Sequence, residues 1–419
     1  HDGDGVFAIH RLSLSVGGGI LRRIPEHPAR PEPPMYTRLR LTDDTLGPVG
    51  RGHPWVWKGG VEGKAKVGEW VELTDGKGRV VAFGVFDEGA IPVRVLARSA
   101  RDPAALVTER ITRADRLRAG LGLGDTDCYR VVNGEGDQLP GVVVDRYADL
   151  AVLRLYARAW EPMLDDIAEA ILGLGWAKTV FRRLGVGLVD GEQGGGVTLR
   201  GPETPRSLIA KEHSLRFIVR PYEGQKTGLF LDQREHRRRV GELGRGREVV
   251  NLFGYTGGFS VFAAAGGARR VTTVDLAGPA LEDAKENFRL NGLDPGQHAF
   301  ERADAFKWEP SAKPDLLICD PPSLAKEKDD DAGARKAYRD LNGRVAMWVR
   351  RDGLLATASC TARLSGARWE EAVRDGLRKA GRWAWIERSE APADHPVAVE
   401  HPEGRYLKWA LLRRFDGAT

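Results

Sequence analysis

Short apolar stretches separated by turn residues characterise the segment from residue 36 to about residue 97. Stretches rich in Val, Phe and Trp recur at 67–73, 80–86 and 91–96, with turns that contain glycine and aspartate between them. This spacing is typical of short β-strands, and the segment shows no charged helical pattern of useful length. We therefore predict a small β domain at 35–99.

A mixed pattern follows, in which helical and strand-like stretches share one module. Residues 103–120 and 160–174 carry a helical pattern, whereas 129–132, 141–145 and 150–156 have the composition of strands bounded by turns. These stretches predict a middle α+β module at 100–215.

From residue 248 onward, buried strands and helices alternate regularly. The predicted strands are 248–253, 270–274, 299–302, 315–319 and 353–359, and the predicted helices are 257–265, 279–291, 341–349 and 369–379. Two late strands, 383–388 and 405–413, are joined by a long loop. Alternation of this kind is typical of an α/β fold with a doubly wound parallel sheet, which we place at 216–419.

Length and composition limit the number of domains and the class of protein. A chain of 419 residues with 42% hydrophobic and 29% charged residues is expected to form two or three domains. No apolar run approaches the ~20 residues that a membrane span needs, so we expect a soluble, cytoplasmic protein. Residues 1–34 contain no Met and a cluster of prolines, which predicts a disordered or non-native extension.

Net charge and cysteine content say little about the binding partner, but they bear on disulfides and metal sites. The formal net charge of +5 permits a polyanionic partner without requiring one. The three cysteines, Cys128, Cys319 and Cys360, form no paired motif, which argues against a disulfide framework and a structural zinc site. We expect no bound metal.

A glycine-containing loop follows the first strand of the α/β region. Its residues Phe253, Gly254, Tyr255, Thr256 and Gly257 precede a helix whose free N–H groups suit an anionic ligand. Asp275 ends the next strand, about 20 residues later, where a carboxylate can accept both ribose hydroxyls. These features alone fit NAD, FAD or S-adenosylmethionine (SAM) equally.

Two further carboxylates favour SAM. Asp304 follows the third strand, where it can accept the adenine amino group, and Asp320 ends the fourth strand before two prolines. The two prolines make a rigid turn that holds the Asp320 carboxylate still, as base-modifying methyltransferases need and dehydrogenases do not. Taken singly, the loop could be a plain turn, Asp275 an N-cap and Asp304 a solvated acid. Their joint order favours the cofactor site.

Cys360 is the candidate nucleophile, because it ends the strand 353–359 and should face the same crevice as Asp320. A thiolate that adds to C6 of cytosine makes C5 nucleophilic enough to accept a methyl group. Asp320 would hold the N3/N4 edge of the base. The alternative is a small buried cysteine without chemistry, which is how we interpret Cys128 and Cys319.

Candidates for RNA contacts are weaker. The basic run 234–239, including Arg237 and Arg238, could bind phosphates or could be a solvated helix face. His395, in the loop between the last two strands, could line the pocket for the target base. Trp55 and Trp57 could stack on bases, but we favour a place in the core of the small β domain.

Several motifs together resemble one known family. They are Arg51–Val56, Asn133–Gly141, Lys226–Arg234, Asn251–Ser260, Asp320–Pro322, Ser359–Thr361, Asp394–Pro396, Pro402–Gly404 and Tyr406–Lys408. From about residue 38 onward, the chain resembles the bacterial large-subunit (23S) ribosomal RNA cytosine-C5 methyltransferases that carry an N-terminal PUA domain. Departures are Gly254, Ser323 and Thr361, where the family often has Ser, Lys and Ser.

This resemblance implies a PUA-like domain at 35–99, a linking or RNA-binding module at 100–215 and a Rossmann-like class I methyltransferase domain at 216–419. It implies SAM as cofactor, Cys360 as nucleophile and Asp320 as its partner. It also implies that Gln233 and Arg234 touch the carboxylate end of the cofactor. The expected partner is RNA, most of all large-subunit ribosomal RNA, and a homodimer is conceivable.

Three other functions stay open on sequence alone. An RNA methyltransferase that acts on an exocyclic amine or on guanine would use Asp320 without a covalent intermediate, and Cys360 would be a bystander. A non-catalytic RNA-binding protein would keep a vestigial cofactor fold. A nicotinamide oxidoreductase would use the same glycine loop and Asp275.

Overall fold

The small β domain carries one helix that the sequence did not predict. The computed structural model describes residues 36–184, 195–325 and 331–415, so the prediction for 1–34 lies outside the described residues. The elements are β1 (Thr37–Leu41), α1 (Asp43–Arg51), β2 (Trp55–Val56), β3 (Val61–Glu62), β4 (Trp70–Thr74), β5 (Val80–Phe86) and β6 (Val93–Ala97). They form a six-stranded sheet in the order β2-β6-β5-β4-β1-β3.

The expectation that no useful helix interrupts this domain is wrong. α1 contains Pro48 and two glycines, residues that normally signal a break, so its periodicity is weak. Asp43 and Asp44 in its first turn favour the helix dipole, and Gly52 ends it in a left-handed conformation. Val49 is its buried contact with the domain core.

The middle module is a five-stranded sheet with two helices. Its elements are α2 (Pro103–Ala119), β7 (Cys128–Asn133), β8 (Val142–Tyr147), β9 (Leu150–Leu155), α3 (Leu164–Leu172), β10 (Thr179–Leu184) and β11 (Gly195–Arg200). The strand order is β11-β10-β9-β8-β7, and β9 and β10 are parallel because α3 crosses between them. Most predicted elements of this module are confirmed, although 160–174 begins as a 3-10 turn before α3.

A hairpin of β12 (Leu208–Glu212) and β13 (Leu215–Val219) joins the middle module to the last domain. The predicted boundary at 215 falls on the first residue of β13. Asn287 and Asn291 of the last domain hydrogen-bond to the backbone of this hairpin at Ile218 and Arg216. The backbone of Lys211 in β12 also hydrogen-bonds to Asp127 of the middle module, so the hairpin contacts both domains.

The last domain is the predicted α/β unit. Its elements are α4 (Arg234–Leu243), β14 (Glu248–Leu252), α5 (Gly258–Ala265), β15 (Arg270–Asp275), α6 (Gly278–Leu290), β16 (Ala299–Arg302), β17 (Leu316–Cys319), α7 (Asp331–Trp348), β18 (Leu354–Ser359), α8 (Gly366–Leu377), β19 (Arg382–Ser389) and β20 (Lys408–Phe415). The sheet order is β16-β15-β14-β17-β18-β20-β19.

The doubly wound sheet is confirmed, with two antiparallel strands, β20 and β19, added at one edge. Alternate residues of each central strand enter opposite layers: Val249 packs with α5 and α6, and Val250 packs with α7 and α8. The carboxyl ends of β14, β15, β17 and β18 meet at one edge of the sheet, where a ligand crevice is expected. Among helices of the described residues, none is long and apolar enough to cross a bilayer.

Candidate active site

The loop after β14 has an unusual backbone. Phe253 and Tyr255 adopt positive φ angles of 57° and 47°, and Gly257 adopts 76°. Left-handed conformations are costly for aromatic residues and cluster at functional sites. Gly254 has a packing reason as well, because a Cβ there would lie 2.5 Å from the Thr273 methyl group. The loop is thus held close against β15.

Asp275, at the end of β15, fixes this loop. Its Oδ2 accepts the backbone N–H of Tyr255 at 2.8 Å, and its Oδ1 accepts that of Ala277 at 2.8 Å. Because each carboxylate oxygen has two lone pairs, both remain able to accept a hydroxyl. The next side chain, Leu276, is 67% exposed and gives the crevice an apolar wall.

Asp304 contributes a similar pair of features after β16. Its Oδ1 accepts the backbone N–H of Phe306 at 2.9 Å, and the Phe306 ring is 40% exposed. Phe306 also packs edge-on against Phe253, with ring centroids 4.9 Å apart. Two carboxylates for hydroxyl and amino groups, beside exposed Leu276 and Phe306 for a flat apolar ring, fit the nucleoside part of SAM.

Asp320 and Cys360 follow the neighbouring parallel strands β17 and β18. Burial, together with the nearby Asp232 carboxylate, raises the pKa of Asp320 to about 7. Burial and the Asp320 carboxylate raise the pKa of the partly exposed Cys360 thiol. The structure therefore brings the two predicted catalytic residues together, with a carboxyl that is half protonated near neutral pH.

Gln233 contacts Asp320 rather than an open cofactor site. Its Nε2 donates to Asp320 Oδ2 at 3.0 Å, and its Oε1 pairs with His236 Nδ1. His236 stacks on Trp409 with centroids 4.7 Å apart, and burial lowers its pKa to about 3. Since both ends of the Gln233 amide contact protein groups, we reassign this residue to orienting Asp320.

The predicted contact between Arg234 and the cofactor is also wrong. Its guanidinium is buried in a two-bond pair with Asp394, with distances of 2.8 and 2.9 Å, and does not face the cofactor loop. Asp394 also accepts the backbone N–H of Arg130 at 2.9 Å, and its carbonyl accepts Arg118 at 2.7 Å. Arg234 therefore anchors the loop between β19 and β20 to the middle module.

The basic run on α4 offers little free charge. Arg237 is buried, donates to Glu212 at 2.7 Å and to the Phe230 carbonyl at 2.9 Å, and so cannot contact RNA as predicted. Arg238 is exposed but paired with Glu235 and Glu242. The run is amphipathic, and its inward face holds the domain together.

The loop between β19 and β20 places His395 in the interior. Its Nδ1 lies 3.2 Å from Asp394 Oδ1, yet neither ring nitrogen has a hydrogen-bond partner among the described residues. Burial lowers the pKa of His395, so the ring is neutral at pH 7. Its free nitrogens suit a wall of a polar pocket, as the sequence prediction requires.

Four residues of the site, Lys226, Asp232, Tyr406 and Lys408, were not predicted as site residues, although all four lie in the quoted motifs. Lys226 and Tyr406 both donate to Asp232 Oδ2, each at 2.6 Å. Lys408 donates to the carbonyls of Thr361 and Leu364 at 2.6 and 2.8 Å, behind Cys360, and burial lowers its pKa to about 8. Polar residues recurring in the 226–234 and 406–408 motifs were the available signal.

The departures at 323 and 361 contact each other. Thr361 Oγ1 lies 3.1 Å from Ser323 Oγ and 2.9 Å from the hydroxyl of Tyr338 on α7. This hydroxyl cluster links the turn after Asp320 to the turn that carries Cys360. It therefore stabilises the relative position of the two.

Two arginine–tyrosine stacks lie on the middle module and the adjoining hairpin region. Arg154 stacks on Tyr156, which is 51% exposed, and Arg206 stacks on Tyr222, each at 4.7 Å. The Nε of Arg154 has no hydrogen-bond partner within the described part of the chain. Burial, and secondly the like charge of Arg154, lower the pKa of Arg183 on the adjacent strand, so the two arginines lie close together. Uncompensated positive charge beside tyrosine rings suits a polyanion with stacking groups.

The aromatic residues of the small β domain differ in their places. Trp55 is partly buried and its Nε1 donates to Glu135 of the middle module at 2.8 Å. Trp57 is 46% exposed and meets Trp55 edge-on at 5.1 Å. The prediction of a core position is therefore wrong for Trp57.

Comparison with known proteins gives two family matches. The model of the S-adenosylmethionine-dependent methyltransferases matches residues 202–412, and that of a PUA-like domain matches residues 39–98. A ribosomal RNA large subunit methyltransferase of Deinococcus radiodurans is 38% identical over 403 residues, covering 90% of this chain and 97% of its own. Ribosomal RNA large subunit methyltransferase I of Klebsiella pneumoniae is 34% identical over 397 residues, covering 90% and 98%.

Two solved structures share the fold. A protein described as a SAM-dependent methyltransferase from Streptococcus mutans has a TM-score of 0.79 at 21% identity and covers 90% of this chain and 100% of its own. A methyltransferase complexed with SAH has a TM-score of 0.81 at 22% identity and the same coverage. At these identities the likeness extends to architecture alone.

Proposed function

The chain belongs to the S-adenosylmethionine-dependent methyltransferases, and from that premise we propose that it forms 5-methylcytidine in large-subunit ribosomal RNA. The observation that supports this most is the position of the partly exposed Cys360 thiol, which follows β18 where the paired parallel strand β17 ends at Asp320. Addition to cytosine requires one proton shared by this thiol and the Asp320 carboxyl, and the Asp320 pKa of about 7 lets the carboxyl hold that proton near neutral pH as the thiolate attacks.

SAM is the cofactor, and we propose that the loop 253–257, Asp275 and Asp304 hold it. Asp275 would accept the ribose hydroxyls, Asp304 the adenine amino group, and Leu276 and Phe306 would cover the ring faces. When bound there, SAM supplies an electrophilic methyl group. The remaining chemistry belongs to side chains of this chain.

In the proposed reaction, the Cys360 thiol gives its proton to the Asp320 carboxylate, and the thiolate Sγ then bonds to C6 of the base as Asp320 passes that proton to N3. Gln233 orients the Asp320 carboxyl through the 3.0 Å hydrogen bond. Lys408 fixes the turn that carries Cys360, and the positive charge of Lys226 lowers the cost of the thiolate. Addition makes C5 an enamine carbon, which can then accept the methyl group.

RNA as partner is supported by three observations. The two relatives described above are named for ribosomal RNA, the N-terminal domain is PUA-like, and the Arg154–Tyr156 and Arg206–Tyr222 stacks offer charge with rings. Phosphates and unstacked bases are what such pairs bind. We propose these pairs, in place of Arg237, as RNA contacts of a cytoplasmic enzyme.

A second function is favoured by one observation. The raised pKa of Cys360 keeps the free thiol protonated, and an enzyme that methylates an exocyclic amine would need no thiolate. In that case Asp320 would hold the amine directly. The two functions differ in whether Cys360 is required.

The test combines labelled SAM, unmodified large-subunit ribosomal RNA, nucleoside digestion and mass spectrometry. We expect 5-methylcytidine from the wild type and a loss of more than about 10³-fold with Cys360→Ala, since the covalent route is removed. Cys319→Ala, at a buried cysteine on the neighbouring strand, is the matched control and should stay active. Label on an amine that survives Cys360→Ala would overturn the proposal in favour of the second function.

A further inference from the structure

Asp232 is a buried carboxylate in which only one of the two oxygens accepts hydrogen bonds from described residues. Its side chain is 2% exposed, and both Lys226 Nζ and the Tyr406 hydroxyl donate to the same oxygen, Oδ2, at 2.6 Å. The other oxygen, Oδ1, is buried without a hydrogen-bond partner among the described residues. A buried carboxylate oxygen without a donor is costly, and such atoms concentrate at functional positions.

Asp232 nevertheless stays ionised. Burial alone would raise the pKa of this carboxyl, but the charge of Lys226 and the hydrogen bonds from Lys226 and Tyr406 outweigh burial and hold the pKa well below its usual range. The pKa of the neighbouring carboxyl, Asp320, shifts in the opposite direction, to about 7. When the pKa values of two adjacent acids differ in this way, one acid is suited to give a proton and the other to accept one.

The same carboxylate belongs to the pocket of the nucleophile. Asp232 precedes Gln233, which holds Asp320, and its charge is near enough to raise the pKa of both Asp320 and Cys360. The reaction proposed above leaves one proton unassigned: the hydrogen on C5 after the methyl group has been added. Asp232 Oδ1 is an oxygen of an ionised carboxylate beside these residues, and it has no hydrogen-bond partner within the described part of the chain.

Resting on the proposed function, we propose that Asp232 is the base that removes the C5 proton and so releases the product. The C5–H bond breaks and its proton goes to Asp232 Oδ1. The electron pair forms the C5=C6 double bond, the Cys360 Sγ–C6 bond breaks, and the sulfur leaves as thiolate. The N3 proton returns to Asp320, so that the net products are the methylated base, S-adenosylhomocysteine and one proton, which Asp232 then releases to water.

Lys226 and Tyr406 are positioning residues in this scheme. They occupy Oδ2, leave Oδ1 without a donor among the described residues, and keep the carboxylate charged between turnovers. His395 is the competing base, because its ring is neutral and its nitrogens are unpartnered. Asp232 is favoured over His395 because it is ionised and lies close enough to Cys360 for its charge to raise the pKa of the thiol.

The experiment asks where the reaction stops. With SAM and unmodified ribosomal RNA, Asp232→Asn should still bind SAM within about twofold of wild type but lose turnover by about 10²–10⁴-fold, the usual contribution of a proton-transfer group. Because only elimination is blocked, the variant should accumulate a covalent protein–RNA complex that survives denaturing electrophoresis and carries methyl label. A merely structural residue would not produce this trapped, methylated complex.

Three further arms make the outcome decisive. Asp232→Asn combined with Cys360→Ala should give no complex, and His395→Asn, whatever its turnover rate, should trap no complex. Asp232→Ala, with formate added as a small carboxylate, should regain release and lose the complex, which covers the case in which Asn prevents folding. The proposal is overturned if the Asp232 variants trap nothing while wild type makes 5-methylcytidine, or if His395→Asn traps instead. Absence of 5-methylcytidine from wild type would instead refute the proposed function.

Discussion

The two halves of the crevice are built by different means. The cofactor half, at the ends of β14, β15 and β16, uses backbone N–H groups, glycines and carboxylates that are close in sequence to the strand they follow. The base half, at the ends of β17 and β18, adds Asp232 from the segment before α4, and Tyr406 and His395 from the loop before β20. One half is local, and the other is assembled from distant segments.

This difference has a physical consequence for each half. The cofactor loop is fixed by short-range bonds such as those of Asp275, so it can keep its shape when remote parts of the chain change. The base half depends on buried charges whose partners must all be in place, because a buried charge without its partner is strongly destabilising. Substitutions in the base half should therefore destabilise the protein more than substitutions in the cofactor half.

The largest expected effect comes from breaking the anchor of the base half. Asp394→Ala leaves Arg234 buried without its two-bond partner and should lower the free energy of unfolding by about 3–5 kcal/mol. Urea denaturation followed by circular dichroism measures it. Because the pKa of Asp394 is held well below its usual range by its partners, this stability is present at neutral pH and is lost as the pH falls into the acid range.

The matched control is Glu390→Ala, which removes a pair with Arg405 on the same loop. That pair is solvent-exposed, and exposed pairs contribute about 0–1 kcal/mol. Equal losses for Glu390→Ala and Asp394→Ala would mean that loop ordering, and not the buried charge pair, governs stability.

The local half was predictable from sequence. The alternation of strands and helices and the order of the glycine loop, Asp275 and Asp304 all follow from short-range patterns. The strand-end positions of Asp320 and Cys360 in the base half follow from the same kind of pattern. The edge strands β19 and β20 were also found, because each has its own apolar run. The helix α1 was missed because Pro48 and its glycines hide a helix that tertiary packing of Val49 supports.

The assembled half was not predictable in the same way. Nothing near Arg234 in sequence shows that its partner is Asp394, 160 residues later. Arg234 was therefore predicted to contact the cofactor. Arg237 looked like free charge because its partner, Glu212, belongs to the preceding hairpin. Asp232 stood in a quoted motif, but its open oxygen is visible only when the donors Lys226 and Tyr406 are placed in space.

In the local half, Asp275→Ala should weaken SAM binding by about 10–100-fold, since hydrogen bonds to a charged group contribute about 1.5–3 kcal/mol. Isothermal titration calorimetry gives the dissociation constant. Asp294→Ala is the control, because Asp294 caps only its own turn at Gly296. Unchanged affinity with Asp275→Ala would show that the carboxylate serves only the Tyr255 and Ala277 backbone.

The pH profile should report the base half alone. The productive state has one proton shared between Asp320 and Cys360, so kcat/KM should fall about tenfold per pH unit below pH 7, where both hold protons. It should fall again above the raised pKa of Cys360, where neither does, and Lys408, with a pKa of about 8, adds to that alkaline limb. Asp320→Asn should abolish the acid limb, whereas a limb that persists would assign it to another group.

The smallest expected effect concerns RNA affinity outside both halves. Arg154→Gln and Arg206→Gln each remove a charge stacked on a tyrosine, and each should weaken binding of a ribosomal RNA fragment about 3–10-fold. The slope of log affinity against log salt should drop by about 0.7 per arginine, as for one phosphate contact on a single strand. Arg238→Gln is the control, since its charge is already met by Glu235 and Glu242. If Arg238→Gln weakens binding and Arg154→Gln does not, RNA follows α4 after all, and the surface beside the middle sheet is not its path.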